Sequence, residues 1–146
     1  MNFPTQMYID GTLTDGSATR EVANPATETA VAAVAVAGMD DVERALQAAK
    51  AAFPIWAAAP IAERQAWMRK LRDEVVANED WLRSCVHHEM GKPWAQTEED
   101  WDRLVASLDF YAEEIARVHG YGIADRAGTH THRMVYEPAG VAVAFL

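Results

Sequence analysis

From Met7 to Val36 the apolar positions come in short runs broken by turn residues, and that spacing predicts two β-hairpins. "MYIDGTL" sets Asp10 and Gly11 between apolar flanks, a two-residue hairpin signal. In "REVANPATETAVAAVAVA", Asn24 and Pro25 stop one strand and Ala30 to Ala37 supplies the next. The period then changes to that of a helix. Asp40 or Asp41 can cap a helix carrying Val42, Leu46, Ala49 and Phe53 on one side, until Pro54 intervenes. Pro60 is placed to start a second helix that buries Trp67, Met68, Leu71 and Val75. Asn78 can cap a third, "EDWLRSCVHHEM", with Leu82, Cys85 and Val86 on one face and Gly91 at its end. A long fourth helix is expected over Glu98 to Val118, with Trp101, Leu104, Val105, Leu108, Tyr111 and Ile115 inward and three acids in its first turn.

Strand patterning returns at Gly120. In "THTHRMVYEPAG", Thr131, Arg133, Val135 and Glu137 alternate with His132, Met134 and Tyr136, as in an antiparallel hairpin lying on a surface or against a partner. After Pro138 and Gly140 comes a run without polar alternation, Val141 to Leu146, the pattern of a strand covered on both faces. No turn residue or charge closes it, so the sequence reads as cut within its most strand-like segment.

Composition narrows the classes. The chain has 146 residues, 50% hydrophobic and 24% charged, with five Trp, which suits one globular domain and excludes general disorder. A net charge of -9 repels phosphate backbones and anionic lipid, so neither nucleic acid nor a membrane is an expected partner. No apolar stretch has membrane-spanning length, and "MNFPTQMYIDG" lacks the basic and apolar regions of a signal peptide, so a cytoplasmic location is expected. The single Cys85 forms no internal disulfide, in keeping with a reducing compartment.

Candidate chemistry is sparse. Cys85 is the only thiol, with His88 one helical turn on, but Leu82 and Val86 beside it favour a small core residue over a nucleophile. His87 and His88 are adjacent on a helix and point about 100° apart, which favours a solvated face over metal ligation. His130 and His132 share a strand face and could hold zinc if a third ligand arrived, but an exposed hairpin tip explains them as well, and no metal is expected. Glu98 to Asp100, Glu113 and Glu114 read as solvated charge. Neither a G-x-G-x-x-G nor a P-loop pattern occurs, and "EMGKP" follows a helix where a phosphate loop would open one. From the residues alone, no catalytic constellation emerges.

Taken in order, however, "YIDG", "NPATE" leading into an Ala-Val strand, "AAFPIWAAAPIAERQAWMRKLRDEV", "HHEMGKP", "FYAEEIARVHG" and "EPAGVAVAFL" resemble the amino-terminal part of the aldehyde dehydrogenase superfamily. The likeness is nearest to NAD-dependent semialdehyde and related dehydrogenases and covers nearly the whole chain. It implies an α/β fold, or α+β for these residues taken alone: N-terminal hairpins, three to four helices, an oligomerisation-type hairpin, then the first strand of an unfinished parallel sheet. The implied division is residues 1–119, the N-terminal part of a dinucleotide-binding domain; 120–138, the oligomerisation hairpin; and 139–146, the first sheet strand.

The resemblance also implies an enzyme in which a cysteine thiolate attacks an aldehyde, NAD or NADP accepts hydride from the thiohemiacetal, and hydrolysis of the thioester gives a carboxylic acid. The family's oxyanion Asn, ribose-binding Lys, glycine-rich turn, general-base Glu and nucleophilic Cys have no counterpart here, and Cys85 does not match the nucleophile. Phe145 and Leu146 match positions at the edge of the cofactor pocket, and Glu89 matches an acid near a monovalent-cation position of some members. No catalytic residue is therefore expected, and no tight cofactor binding by these residues alone. Expected partners are a small aldehyde in the complete enzyme and a second subunit through the hairpin. The rival reading is a non-catalytic module, derived from that family, that self-associates.

Overall fold

The first hairpin closes where the sequence places it. Strand β1 (Met7–Ile9) pairs antiparallel with β2 (Thr12–Thr14), and Asp10 and Gly11 both take positive φ, at 50° and 77°. Two successive left-handed residues give the turn whose twist matches a two-stranded ribbon, and Asp and Gly tolerate them best. The structure, a computed structural model, describes residues 3–145.

Strand β3 (Ala18–Asn24) pairs with β4 (Thr29–Val36). Register moves from Val22 opposite Ala32 to Ala23 opposite Ala30, which leaves Val31 as the extra residue of a bulge. Asn24 ends β3 for a specific reason. Its Oδ1 accepts from the Ala26 amide at 2.8 Å, and its carbonyl accepts from the amides of Thr27 and Glu28. One buried side chain thus fixes the whole turn.

Four helices follow: α1 (Met39–Ala58), α2 (Ile61–Ala77), α3 (Glu79–Met90) and α4 (Thr97–Glu114), with one 3₁₀ turn, Trp94–Gln96, between the last two. The capping differs from expectation at α1. Gly38 is the N-cap, and Asp41 reaches back so that Oδ2 accepts the Gly38 amide at 2.8 Å. Helix α1 also runs through Pro54 to Ala58, where a stop was expected. The proline removes one hydrogen bond, and Lys50, whose carbonyl loses its donor, lies on the exposed side where water can replace it. Asn78 does not cap α3 with its side chain: Nδ2 donates to the Glu74 carbonyl at 2.7 Å and closes α2 instead. Gly91 ends α3 in the left-handed conformation, as expected.

Helix α2 keeps two of its four expected inward residues, Met68 and Val75. Trp67 and Leu71 are about half exposed, while the inward stripe is Arg64, Gln65, Met68, Arg72 and Val75. That stripe meets α4 through polar groups. Gln65 Nε2 donates to the Ala112 carbonyl at 2.9 Å and Arg72 pairs with Asp109 at 3.1 Å, and beside the stripe the exposed Arg69 pairs with Glu113 at 2.7 Å. The first of these bonds marks the end of α4. The Ala116 amide, which would complete the next α-helical bond, turns to the Glu113 carbonyl instead, so Ala112 is free to accept from Gln65. Along α4 the inward line is Thr97, Trp101, Val105, Leu108, Ala112 and Ile115; Leu104 borders a small cleft with Leu82 and Val86 of α3, and Tyr111 is exposed.

The last pair is β5 (Tyr121–Ala124) with β6 (Thr131–Met134), antiparallel, as the alternation predicts. The expected strand at Val141 is different. Among the described residues, 141–145 form no strand, and the sheets are three separate two-stranded hairpins. A strand is defined by its partner's hydrogen bonds, and no parallel neighbour is present to supply them.

The α/β class with four helices and small antiparallel pairs therefore holds, but the layers stay open. The accessible surface is 11286 Å², against about 7,400 Å² for a compact chain of this size. Among the described residues only Trp101 and Ala112 are buried hydrophobics.

Candidate functional site

Three places gather side chains that could act: the junction of α3 and α4, the face of α1 beside residues 140–145, and the β5–β6 arm. The junction is the best packed. Thr97 is 1% exposed; its hydroxyl donates to the Trp94 carbonyl at 2.7 Å and accepts from Arg83 Nε at 3.0 Å. Arg83 is bound on three sides, since Nη1 also donates to Glu79 at 2.8 Å and the guanidinium lies 4.7 Å from the Trp94 ring centre. Lys92 reaches Asp100 at 2.5 Å. These contacts hold the "MGKP" loop against the start of α4. Sequence reading missed them, although "PWAQT" carries a signal: Pro93 pre-sets a turn, and Thr97 is a helix-start residue.

His87 and His88 are not on a solvated face. Both are half-buried, with ring centres 5.1 Å apart, and His88 meets Phe3 edge-on at 5.7 Å. His87 Nδ1 lies 2.5 Å from the Lys92 carbonyl, and because a carbonyl only accepts, Nδ1 carries the proton. The correction has a local cause. The left-handed turn at Gly91 folds the loop back over the last turn of α3, so the helix end that would face water meets its own chain. Beside this pair is a cleft of about 480 Å³ bounded by Phe3, Asn24, Thr27, Thr29 and Val31.

Cys85 lies on the same helix, half-buried. Burial pushes its thiol above the ordinary range, and the Glu89 carboxylate adds to the shift. Both effects disfavour the thiolate, the reverse of what a nucleophilic cysteine requires. Glu89 is exposed at the helix end. Among the described residues, no three His, Cys, Asp or Glu side chains gather as metal ligands.

One face of α1 is partly open, with Leu46 and Phe53 bordered by Glu43, Gln47 and Lys50. Leu46 and Phe53 line a cleft of about 450 Å³ that Gly140 and Val141 enter from the other side. Beyond them Val143 and Phe145 are exposed, Phe145 to 93%. Leu146 lies outside the described residues. Among the described residues none encloses Phe145, and the sequence has no G-x-G-x-x-G phosphate turn. The described residues do not fit a dinucleotide cofactor by themselves.

The β5–β6 arm exposes both faces. Tyr121 faces Met134 and Ile123 faces His132 across the pair, so these four side chains share one face, and each of the three apolar ones is about half exposed. At its tip the Thr129 hydroxyl donates to Asp125 Oδ2 at 2.8 Å and accepts from His130 Nδ1 at 2.8 Å. His130 is thereby engaged in the turn. No helix of the described residues is long and apolar enough to cross a membrane.

Comparison with known proteins gives these places a common frame. The chain is 31% identical over 144 residues to glutarate-semialdehyde dehydrogenase of Pseudomonas putida, covering 97% of this chain and 30% of that protein. It is 29% identical over 145 residues to the NADP(+)-dependent D-glyceraldehyde dehydrogenase of Thermoplasma acidophilum, covering 96% and 29%. The chain thus spans about a third of the length of the curated relatives it matches. Among solved structures, a putative aldehyde dehydrogenase from Burkholderia cenocepacia matches with a TM-score of 0.80 at 30% identity, over 87% of this chain and 27% of that one. Betaine aldehyde dehydrogenase from Staphylococcus aureus shares the fold with a TM-score of 0.85 at 23% identity, over 94% and 29%. The model of the aldehyde dehydrogenase family matches residues 13–146, and the chain belongs to that family.

Proposed function

We propose that these residues are the N-terminal portion of an aldehyde dehydrogenase that oxidises an aldehyde to a carboxylic acid with NAD or NADP. The observation that supports this is the continuous likeness over 97% of the chain to a semialdehyde dehydrogenase more than three times its length. In this reading the chain contributes scaffold and no catalysis. Residues 1–119 belong to the dinucleotide-binding domain, residues 120–138 form an arm toward a second subunit, and residues 139–146 supply the first strand of its sheet. The partly open face of α1 supports that last assignment, because Leu46 and Phe53 lie beside the extended segment at Val141 as one half of a helix-on-sheet layer would. Phe145 and Leu146 would then border the cofactor pocket. The protein would act in the cytoplasm on a small aldehyde.

The test is turnover. The purified chain is incubated with NAD or NADP and a panel of semialdehydes and hydroxyaldehydes, and reduced cofactor is followed by absorbance. No turnover is expected. Reduction that disappears in Cys85→Ser would overturn the reading, since the nucleophile would then lie within these residues.

A second reading has its own support in the β5–β6 arm, whose apolar side chains Tyr121, Ile123 and Met134 are each about half exposed. As a self-associating module without catalysis, the chain would form one defined oligomer with a cooperative melt. Light scattering after size exclusion separates the two. Scaffold residues alone should be heterogeneous or monomeric, and a single sharp oligomer would favour the module.

A further inference from the structure

We draw no further inference here: the strongest candidate, the cleft of about 480 Å³ between the β3–β4 turn and the last turn of α3, carries nothing because its amide, hydroxyl and imidazole groups select no one class of ligand and, among the described residues, no third metal-type side chain joins His87 and His88.

Discussion

The α3–α4 junction and the β5–β6 arm are both built from short segments rich in aromatic and polar residues, yet they settle their side chains in opposite ways. At the junction, Thr97 and Trp101 are buried and Arg83 has three partners. In the arm every residue of both strands is exposed, and the only organised polar cluster is the turn itself. What separates them is a second layer. Helix α4 has α2 and α3 against it, while the arm has no other element packed on it in comparable measure. Stability should therefore reside in the junction, and the arm should be thermodynamically quiet until something covers it.

The largest effect should come from Trp101→Ala. Trp101 is 9% exposed and one of the two buried hydrophobics described, and truncating a buried Trp costs about 3–5 kcal/mol. Against a total of about 5–15 kcal/mol for a typical domain, such a loss is a large fraction of the stability. Urea titration followed by far-UV circular dichroism should show a large drop in midpoint or no transition. A shift of under about 1 kcal/mol would mean that the junction is not the stabilising layer.

Two glycines allow the regions to be compared with backbone conformation held constant. Gly91 at the junction has φ 65° and Gly128 at the arm's tip has φ 67°. An added Cβ at Gly91 would lie 2.9 Å from the Ala26 amide nitrogen and 3.0 Å from its Cβ, whereas at Gly128 it would meet nothing within 4 Å. Gly128→Ala should cost about 1 kcal/mol of left-handed strain, borne locally, and Gly91→Ala that amount plus the displacement of the β3–β4 turn, about 2–3 kcal/mol in all. Equal losses in the two melts would show that the packing of α3 on that turn contributes nothing.

Next comes Thr97→Val, which keeps shape but removes the hydroxyl that bridges Arg83 and the Trp94 carbonyl. With a side chain almost fully enclosed, the loss should be about 1–2 kcal/mol. Thr97→Ser, which keeps the hydroxyl, should recover most of it in the same denaturation experiment. No loss in Thr97→Val would show that the hydroxyl's bridge contributes nothing, and a loss in Thr97→Ser as large as in the valine variant would show that the methyl's packing matters as much as the hydroxyl.

Much of this architecture was legible in the residues, and the misses share a cause. Asp10-Gly11, Asn24-Pro25 and Gly91 are read correctly because turn geometry is local and each residue type brings its own φ preference or hydrogen bond. Helix α2 is misread in part because large apolar side chains at Trp67 and Leu71 outweigh the arginines in any hydropathy count. Its inward stripe is chosen instead by hydrogen-bond partners on α4, forty residues away, that periodicity does not contain. His87 and His88 fail in the same way, since a helix face looks solvated until a loop folds back on it. The run after Gly140 has strand character without a strand, because pairing is a property of two segments. Site chemistry was the least legible. Positions such as Phe145 take on a role only through resemblance, and the geometry around it is open.

The arm yields the opposite kind of prediction. Ile123→Ser with Met134→Ser removes apolar surface that is already about half in water, so the stability read from the melt should change by no more than about 0.5 kcal/mol. If a second subunit docks there, the same pair of substitutions should lower the association constant measured by analytical ultracentrifugation while the monomer's melt stays put. A fall in stability without any change in association would place the arm inside the folded unit and erase the contrast with the junction.

The smallest effect separates two carboxylates by titration. The Gly38 amide, helped by Arg44, holds Asp41 below the ordinary carboxylate value of 3.8, and the Thr129 hydroxyl, helped by the Ala127 amide, does the same for Asp125. For a depressed carboxylate the sign is fixed. Its contribution is complete above the unfolded value and is lost as pH falls through the folded one. Asp41 caps a 20-residue helix, so its protonation should loosen the first turn of α1, whereas protonation of Asp125 should free only its partners in the turn, the Ala127 and Thr129 amides and the Thr129 hydroxyl. Amide hydrogen exchange followed by NMR as the sample is acidified below pH 4 should show the Gly38 amide losing protection together with its helix neighbours. At the arm's tip only the Thr129 and Ala127 amides should lose protection. Asp125→Asn keeps an oxygen acceptor but cannot titrate, so it should abolish the acid response at Thr129 and leave that at Gly38 intact. If both amides lost protection in step, and this variant altered both, the arm would be coupled to the body of the fold.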